Sequence, residues 1–396
     1  MLRISMLGSG FIARFYADSI LGQRSKDHIL SVFSRREESA KKFAKDYNCA
    51  HWTTSMEESI AHPDVDVVCI SLPNNLHEAA VMLCCKHKKA VITTKPLGRN
   101  AEEAKRMLEA VEKAGIFNGY LEDLAYTPKF LKALESVKSG AIGRVLWAKS
   151  RETHPGPHSD WFWDLEQAGG GCILDLGCHC VELNRSFIGK DIKPVEAMCW
   201  ADTQVKPIDA EDHAIALVKY ENGAIGQFEV SWTFRGGLDL RDEVMGTEGT
   251  IWLNNFLRTG FEMFTTGKGA DYVAEKAESN SGWLFPVGDE VNDLGYNHMF
   301  TDMFRSLEQG KAPKETFYDG YVVNAILDAC YKSAKTKLWE TVKLDIWRGR
   351  TGVGKDSHLV DYDKDHYLVK EEMTHFGAKK LILKEKKTGK IIEKVG

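Results

Sequence analysis

The stretch GSGFIA, residues 8–13, decides the fold because it follows directly on the apolar run LRISML, residues 2–7. In the pattern G-x-G-x-x-A, Gly8 permits a tight turn and Gly10 lets the backbone approach a phosphate closely. Ala13 is small enough for a helix to pack on the strand. The N-terminal amides of that helix would face a bound anion. We therefore predict a dinucleotide-binding βαβ unit, with a plain structural turn as the alternative.

The first 122 residues continue this pattern. Apolar runs predicted as strands alternate with amphipathic segments predicted as helices, which indicates βαβ units and a parallel sheet. The helix over 100–115 has both ends marked, by an Asn100–Glu103 capping box and by Gly115. We predict an N-terminal dinucleotide-binding domain of Rossmann type over residues 1–122.

A different pattern begins near residue 143. Residues 213–234 alternate around Asn222-Gly223, and residues 241–253 alternate around Thr247-Glu248-Gly249, which predicts two hairpins. Helical stretches follow at 292–309 and 318–337. We predict an α+β domain over 123–343, with a large, mostly antiparallel sheet that is open on one face. Residues 344–396 form a charged C-terminal extension of unknown role, with a possible hairpin over 379–395.

Composition excludes several classes of protein. The 396 residues carry a net charge of −5, which gives no reason to expect nucleic acid as a partner. No apolar run approaches the roughly 20 residues that span a bilayer. Nine cysteines without a CxxC pair indicate reduced thiols and a cytoplasmic location. The open sheet face and the extension lead us to expect a homo-oligomer.

The end of the second strand bears on the choice of cofactor. A carboxylate at this point would bind a ribose 2′-hydroxyl, but the chain reads Ser34-Arg35-Arg36. An arginine suits a 2′-phosphate or stacks on adenine. The expected cofactor is therefore NAD(H) or NADP(H), with NADP(H) slightly favoured. Alternatively, these arginines are surface charges that pair with Glu37 and Glu38.

Three further motifs follow the glycine loop: SLPNNLHEAA at 71–80, TTKPLGRNAEEA at 93–104 and GGGCILDLGCH at 169–179. In this order they resemble the Gfo/Idh/MocA family, the glucose-fructose oxidoreductase and inositol dehydrogenase group, over about residues 1–340. The resemblance implies a Rossmann domain, an open-sheet domain and an active site between them. Members mostly oxidise or reduce a secondary alcohol or ketone on a sugar, cyclitol or glycoside.

The resemblance also implies roles for individual residues. Lys95-Pro96 matches the family's E-K-P motif, whose lysine lies beside the nicotinamide and the reacting hydroxyl, although Thr94 replaces the glutamate. Asp175 and His179 match its D-x-G-x-H motif, with the histidine as proton acceptor. The cofactor-binding residues predicted from loop and resemblance together are Gly8, Gly10, Phe11, Ile12, Ser34, Arg35, Leu72, Pro73, Asn74, His77 and Lys95.

The chemistry of these side chains supports the same roles. Hydride removal from an alcohol carbon requires the hydroxyl proton to leave, and histidine accepts protons near neutral pH. Asp175, four residues before His179, could fix its tautomer or hold a sugar hydroxyl, and Lys95 could hydrogen-bond the developing alkoxide. We predict Lys95, Asp175 and His179 as the catalytic set. The alternative is that Asp175 caps a helix and His179 belongs to the core.

The segment RETHPGPHSDWFWD, residues 151–164, combines histidines and tryptophans that could bind a sugar ring. A packed aromatic loop is the alternative. A metal site built on His154, His158 and His179 is not predicted, because the HxxxH spacing crosses Pro-Gly-Pro and is not helical. Glu122 could face the cleft as well, but the sequence does not orient it. The predicted substrate-binding residues are Tyr126, His154, His158, Trp161, Trp163, Asp175 and His179.

These observations lead to one main hypothesis and two alternatives. The main one is an NAD(P)-dependent oxidoreductase acting on a secondary alcohol or ketone of a sugar, cyclitol or glycoside, with oxidation at C3 of a glucoside as one version. The first alternative is a glycosidase or lyase that oxidises its sugar only transiently. The second is a non-catalytic dinucleotide-sensing regulator, which the intact catalytic set disfavours.

Overall fold

The computed structural model describes residues 1–23, 26–255, 261–266, 273–355 and 357–396. It divides into two compact units, residues 1–351 and residues 352–396. The second unit begins later than the extension predicted at 344. The reason is that Arg350 N donates to Asp191 O at 2.8 Å and Arg348 N donates to Tyr318 OH at 2.8 Å, which fixes this segment to the first unit.

The first sheet of the larger unit is six-stranded and parallel, in the order β3-β2-β1-β4-β5-β6. Its strands are β1 Arg3–Leu7, β2 His28–Phe33, β3 His51–Thr53, β4 Val67–Ile70, β5 Ala90–Thr94 and β6 Asn118–Leu121. Its helices are α1 Phe11–Gln23, α2 Glu37–Asp46, α3 Met56–Ala61, α4 His77–Lys86 and α5 Ala101–Ala114. The strand order reverses beside β1, and ligands of such sheets bind there at the carboxyl ends of the strands. The predicted Rossmann-type sheet is confirmed.

Local sequence explains these elements. Helix α5 begins where Asn100 Oδ1 accepts a hydrogen bond from Glu103 N at 2.9 Å, and it ends at Gly115, whose φ is +65°. Strand β4 is buried on both faces because helices cover both sides of a parallel sheet, which accounts for its continuous apolar sequence.

The second sheet has seven strands in the order β12-β11-β7-β10-β9-β8-β15. The strands β7 and β10 pair parallel, and the other neighbours pair antiparallel.

The remaining helices are α6 Pro128–Lys138, α7 Leu165–Ala168, α8 Cys172–Asp175, α9 Gly177–Ile188, α10 Glu290–Asp293, α11 Tyr296–Glu308 and α12 Phe317–Thr336. The strands are β7 Val145–Thr153, β8 Pro194–Asp202, β9 His213–Tyr220, β10 Ile225–Ser231, β11 Asp239–Gly246, β12 Thr250–Asn254, β13 Met263–Thr265, β14 Gly282–Leu284 and β15 Glu340–Thr341, with β13 and β14 forming a separate hairpin. Both predicted hairpins and the mostly antiparallel sheet are confirmed.

One face of this sheet is covered and the other is open. Helices α9 and α12 pack on the covered face. The strands alternate between buried and exposed residues, as in the pattern of β9, and this is typical of a sheet with one solvent-facing side. The open face exposes large apolar side chains, namely Trp147, Trp200, Ile215, Met245 and Trp252.

A buried ionic cluster joins α9 to α12. Lys190 Nζ lies 2.7 Å from Glu182 Oε1, 2.6 Å from Glu315 Oε1 and 3.2 Å from Asp319 Oδ1. Arg185 forms an ion pair with Glu182 on the same helix. Buried charges are tolerated when they are paired in this way, so the cluster fixes α9 against its neighbours.

The smaller unit is a four-stranded antiparallel sheet in the order β16-β17-β18-β19. Its strands are β16 Val360–Asp361, β17 His366–Met373, β18 Lys379–Glu385 and β19 Ile391–Val395. Strands β18 and β19 form the hairpin predicted over 379–395, and its turn contains Gly389 with a φ of +74°.

Two observations bear on the predicted surroundings of the protein. All nine cysteines are unpaired thiols, and most of them are buried. Among the helices of the described residues, none combines the length and the hydropathy that crossing a membrane would require.

Candidate functional site

A cavity of about 190 Å³ lies between the carboxyl ends of the first sheet and the second sheet. The first sheet contributes the glycine loop and Lys95, and the second contributes strand β7 and helices α8 and α9. The cavity therefore gathers residues that are far apart in sequence. Its polar and charged lining includes Lys95, Asp123, Glu152, His154, His158, Asp175, His179, Glu275 and Lys276.

The two glycines of the loop have different surroundings. Gly8 has a φ of +114°, and a Cβ placed there would lie 2.4 Å from Ser71 O, so the turn excludes any side chain. Gly10 lines the cavity, and a Cβ placed there would meet nothing within 4 Å. Helix α1 starts next to it at Phe11 and has no acidic residue in its first turn. Open space beside an uncompensated helix N-terminus fits a dinucleotide pyrophosphate.

Lys95 and Asp175 form a buried ion pair. Lys95 Nζ donates to Asp175 Oδ1 at 2.8 Å and to Asp175 O at 2.7 Å, and Trp232 Nε1 donates to Asp175 Oδ2 at 3.0 Å. Burial is the largest effect and would raise the pKa of Asp175, but the Lys95 charge, the Lys95 hydrogen bond and weaker electrostatic effects together lower the pKa to about 2. Burial would lower the pKa of Lys95, but Asp175 raises it well above its usual range. Both groups are therefore charged at neutral pH.

His179 is held by a residue that the sequence left unassigned. Its Nδ1 forms a short hydrogen bond with Glu122 Oε1, and both side chains are buried. Burial, aided by the Lys95 charge, lowers the pKa of His179 to about 3. Burial also raises the pKa of Glu122 to about 8. In the tautomer in which Nδ1–H donates to Glu122 Oε1, Nε2 of the neutral imidazole can accept a proton. Glu122 directly follows β6. Its position at the carboxyl end of a predicted parallel strand is the sequence feature that could have identified it as a site residue.

Thr94, which stands where the family motif has a glutamate, contacts Tyr16. Its Oγ1 lies 2.8 Å from the hydroxyl of Tyr16, and both groups line the cavity. The sequence also missed Asp123 and Glu152, two buried carboxyls in the lining.

The predicted substrate residues divide into two groups. His154, His158 and Trp161 line the cavity together with Asp175 and His179. The other two do not line it among the described residues. The Tyr126 hydroxyl donates to Asp302 Oδ2 at 2.7 Å, because the 3-10 turn Asp123–Tyr126 directs this ring into the core. The ring of Trp163 packs edge-on against Trp232 at 5.6 Å.

The predicted cofactor residues divide similarly. Those that line the cavity are Gly10, Phe11, Ile12, Leu72, Asn74 and Lys95. Gly8 lies beneath the loop, and Pro73 precedes the 3-10 turn Asn74–Leu76. Ser34 Oγ accepts a hydrogen bond from Ser9 Oγ at 3.0 Å, and Arg35 is exposed beyond the end of β2.

His77 has a structural position. The imidazole is fully buried, with Nε2 2.9 Å from Leu72 O and Nδ1 3.1 Å from Pro96 O. Burial lowers its pKa. His77 therefore connects the loop after β4 to the loop after β5, and it acts on the cavity through those loops.

Two groups of side chains in the described part of the chain have ligand atoms close enough for a metal ion: Glu122 with Cys178 and His179, and Glu182 with Glu315 and Asp319. The second group surrounds the Lys190 ammonium. His154 and His158 belong to neither group. The alternative set of His154, His158 and His179 is thus not brought together.

Family comparisons agree with this architecture. Residues 2–119 match the model of the oxidoreductase family with an NAD-binding Rossmann fold, and residues 130–252 match the model of the GFO/IDH/MocA C-terminal domain. The chain belongs to the GFO/IDH/MocA oxidoreductase family. It is 26% identical over 341 residues to levoglucosan dehydrogenase of Pseudarthrobacter phenanthrenivorans, covering 77% of this chain and 86% of that protein.

Other members of the family extend the comparison. The trans-1,2-dihydrobenzene-1,2-diol dehydrogenase of Bos taurus is 31% identical over 257 residues, which cover 63% of this chain and 72% of that protein. The crystal structure of GenD2 from gentamicin A biosynthesis, in complex with NAD, superposes with a TM-score of 0.81 at 28% identity, covering 87% of this chain and 97% of that one. The fold of the family, with its NAD-binding Rossmann domain and its C-terminal domain, thus includes both sheets of this chain.

Alanine substitution at the two loop glycines should separate folding from cofactor binding. Gly10→Ala should keep the melting temperature of the wild type because its methyl group enters open space, but it should weaken NADH and NADPH binding about tenfold or more, since that space receives the pyrophosphate. Gly8→Ala should destabilise the fold by roughly 1–3 kcal/mol because of its positive φ and the Ser71 carbonyl. Thermal unfolding and fluorescence titration measure both effects. Unchanged cofactor affinity in Gly10→Ala would place the dinucleotide elsewhere.

Proposed function

We propose that this protein is an NAD(P)-dependent dehydrogenase or reductase that acts on a secondary alcohol or ketone of a sugar, cyclitol or glycoside. His179 serves as the acid/base, and oxidation at C3 of a glucoside is one version of the reaction. A single observation carries the proposal: a neutral, buried imidazole and a buried Lys95–Asp175 ion pair share one cavity with the glycine loop. The relatives named as dehydrogenases of small polyols support it.

The cofactor fits the first-sheet side of the cavity. Gly10 and the start of α1 would hold the pyrophosphate, while Leu72 and Asn74 would lie along the remainder of the molecule. When bound, the nicotinamide dinucleotide supplies the hydride acceptor or donor for the substrate carbon.

The protein's own side chains manage the substrate oxygen and its proton. Lys95 donates a hydrogen bond to that oxygen and stabilises negative charge as it develops. His179 Nε2 takes the hydroxyl proton in the oxidative direction and returns it in the reductive direction. Glu122 holds Nδ1 and fixes the orientation of the ring, and Asp175 holds Lys95 in place. Glu122 and Asp175 are thus positioning residues for the two groups that contact the substrate.

Removal of the base provides the main test of this function. His179→Gln should lower kcat by about 10²–10⁴ with a substrate found by screening sugars, cyclitols and glycosides, because the hydroxyl proton loses its acceptor. The measurement is the absorbance of reduced nicotinamide over time. His213→Gln on strand β9, outside the cavity, is the matched control and should keep wild-type turnover.

Other outcomes of this screen separate the alternatives. Wild-type turnover in His179→Gln would contradict the assigned role. Consumption of a glycoside without net change in reduced nicotinamide would favour a transient-redox glycosidase or lyase. Cofactor binding with no reaction on any compound would favour a dinucleotide-sensing regulator.

We further propose a preference for NADP(H). The end of β2 continues into Ser34, Arg35 and Arg36, so the chain presents an exposed guanidinium where a carboxylate would select the 2′-hydroxyl of NAD. No acidic side chain follows β2 before helix α2 begins at Glu37. A 2′-phosphate would complement the positive charge at this edge of the cofactor site.

Substitution of one arginine tests the cofactor preference. Arg35→Ala should raise the KM for NADPH about tenfold, because the 2′-phosphate of NADPH loses a charged hydrogen bond. The KM for NADH should change much less, because NADH has no 2′-phosphate. Steady-state kinetics with both cofactors give the two values. Lys41→Ala removes a nearby charge that already pairs with Glu37, and it should leave both values unchanged. A wild-type protein that prefers NADH would overturn the proposal.

We also propose that a second copy of the chain covers the open face of the second sheet, and that the protein works in the cytoplasm. On this face Met245, Trp147 and Ile225 are neighbours in adjacent strands, and Ile215 is paired with Trp200. Exposed apolar rows of this kind are typical of protein interfaces. Charged residues Arg151 and Glu229, 3.2 Å apart, continue the row of Ile215 and Trp200 and offer both signs of charge to an identical partner.

A charge placed on this face should dissociate the oligomer. Trp147→Glu should reduce the mass in solution to that of a monomer, since an interface core does not tolerate an unpaired carboxylate. Multi-angle light scattering measures this mass. Trp52→Glu is the matched control, because Trp52 is similarly exposed but lies on strand β3 of the first sheet. A wild-type monomer, or an unchanged oligomer in Trp147→Glu, would contradict this arrangement.

A further inference from the structure

The described lining of the cavity contains more acidic than basic side chains. Its carboxyl groups are Asp123, Glu152, Asp175 and Glu275, and its lysines are Lys95 and Lys276. Each lysine already has a partner: Lys95 lies 2.8 Å from Asp175, and Lys276 lies 3.3 Å from Glu275. Two carboxyl groups, those of Asp123 and Glu152, are left without a lysine.

Glu152 belongs to the second sheet. It lies on β7, paired with Leu240 on one side and Val230 on the other, and it belongs to the segment 151–164 that contains the predicted substrate residues. Its side chain is 7% exposed, and Oε2 has no hydrogen-bond partner. Burial raises the pKa of Glu152 well above its usual range, against the Lys95 charge. An unpartnered acceptor at such a depth is costly unless a ligand satisfies it.

Asp123 faces the same cavity from the end of β6. Its side chain is 6% exposed, and in the described part of the chain no lysine or arginine forms an ion pair with it. Burial raises the pKa of Asp123 to about 7. Asp123 is therefore a second buried carboxyl group in the cavity that a bound cation would stabilise in its ionised form.

The histidines of the cavity do not supply the missing positive charge. Burial lowers the pKa of His154 well below its usual value, and His154 Nδ1 accepts a hydrogen bond from Gly156 N at 2.9 Å. Burial also lowers the pKa of His158, which lies 3.8 Å from Glu275. With His179 neutral as well, the two lysines are the only permanent cations in the described lining.

We propose that Glu152, assisted by Asp123, binds an ammonium group of the substrate, so that the preferred substrate is an amino sugar or an amino cyclitol. A hydroxyl group could donate a hydrogen bond to the same oxygen, but only a cation would also stabilise the ionised forms of Glu152 and Asp123, which burial disfavours. Glu152 projects from β7, the strand that leads into His154 and His158, so it faces the substrate side of the cavity and not the glycine loop. This inference rests on the proposed function and narrows its substrate class.

Matched substrates test the inference without altering the protein. Glucosamine is compared with glucose and with N-acetylglucosamine, and an aminodeoxy-inositol is compared with inositol, at a pH where the amine is protonated. We expect kcat/KM for at least one free amine to exceed that of both uncharged counterparts by tenfold or more. The N-acetyl compound separates the charge of the amine from its position on the ring.

A variant then assigns the effect to the residue. Glu152→Gln keeps the shape of the side chain but cannot neutralise a cation, so the amine-to-hydroxyl ratio of kcat/KM should fall to about one. The control is Glu109→Gln, an exposed position on helix α5 outside the cavity, which should keep the wild-type ratio. An amine-to-hydroxyl ratio of kcat/KM that keeps its wild-type value in Glu152→Gln would place the ammonium site elsewhere.

The outcomes distinguish this inference from the function on which it rests. Turnover of neutral polyols at least as efficient as that of their amino counterparts would overturn the inference and leave the proposed function standing. Failure of every compound, amino or neutral, to change the absorbance of reduced nicotinamide would overturn the proposed function itself.

Discussion

The ion pair of Lys95 with Asp175 connects the two halves of the larger unit. Lys95 follows the carboxyl end of β5 in the first sheet, and Asp175 ends α8, which precedes the helix packed on the second sheet. Both charges are removed from water at a considerable cost. That cost is reduced because Trp232 and the Asp175 backbone carbonyl complete the hydrogen bonds around the pair. The contact therefore joins the two sides of the cavity.

The position of His179 depends on contacts at both ends of α9. At its first turn, the imidazole contacts Glu122 at the end of β6, so the base is oriented by a residue of the first sheet. Farther along the helix, Arg185 and Glu182 join the buried cluster around Lys190. A proton acceptor must be placed within hydrogen-bond reach of its substrate to act. Anchoring the helix at both ends provides this placement through rigid elements and not through loops.

The sequence predicted the parts of the fold that have short-range physical causes. The glycine loop, the capped helix α5 and the Asn222-Gly223 hairpin each follow from local backbone requirements, and the structure contains all three. The sequence predicted that Lys95 and Asp175 belong to one site, but it did not predict that they form an ion pair. The two residues are so far apart in sequence that their spacing alone cannot predict a contact between them.

The acids to which sequence reasoning gave no role share a different property. Glu122, Asp123 and Glu152 stand at or near strand ends, and acids at such positions are usually solvated side chains. Only the packing of two sheets shows that they are buried. Tyr126 was misplaced for a related reason, since a single 3-10 turn decides which side of the chain faces the cavity. The limit of the smaller unit was also set by long-range contacts, those of Arg348 and Arg350.

Burial and pairing together assign the protonation states in the site. Lys95 and Asp175 stay charged because each is the other's partner, whereas His179 and Glu122 are driven toward their neutral forms because burial dominates. Groups whose pKa values are moved apart by their surroundings can take distinct acid and base roles at one pH. In the proposed reaction, a fixed cation stabilises the substrate oxygen while a neutral imidazole in the same cavity accepts its proton. The proximity of Lys95 strengthens this division, since its charge adds to the effect of burial in lowering the pKa of His179.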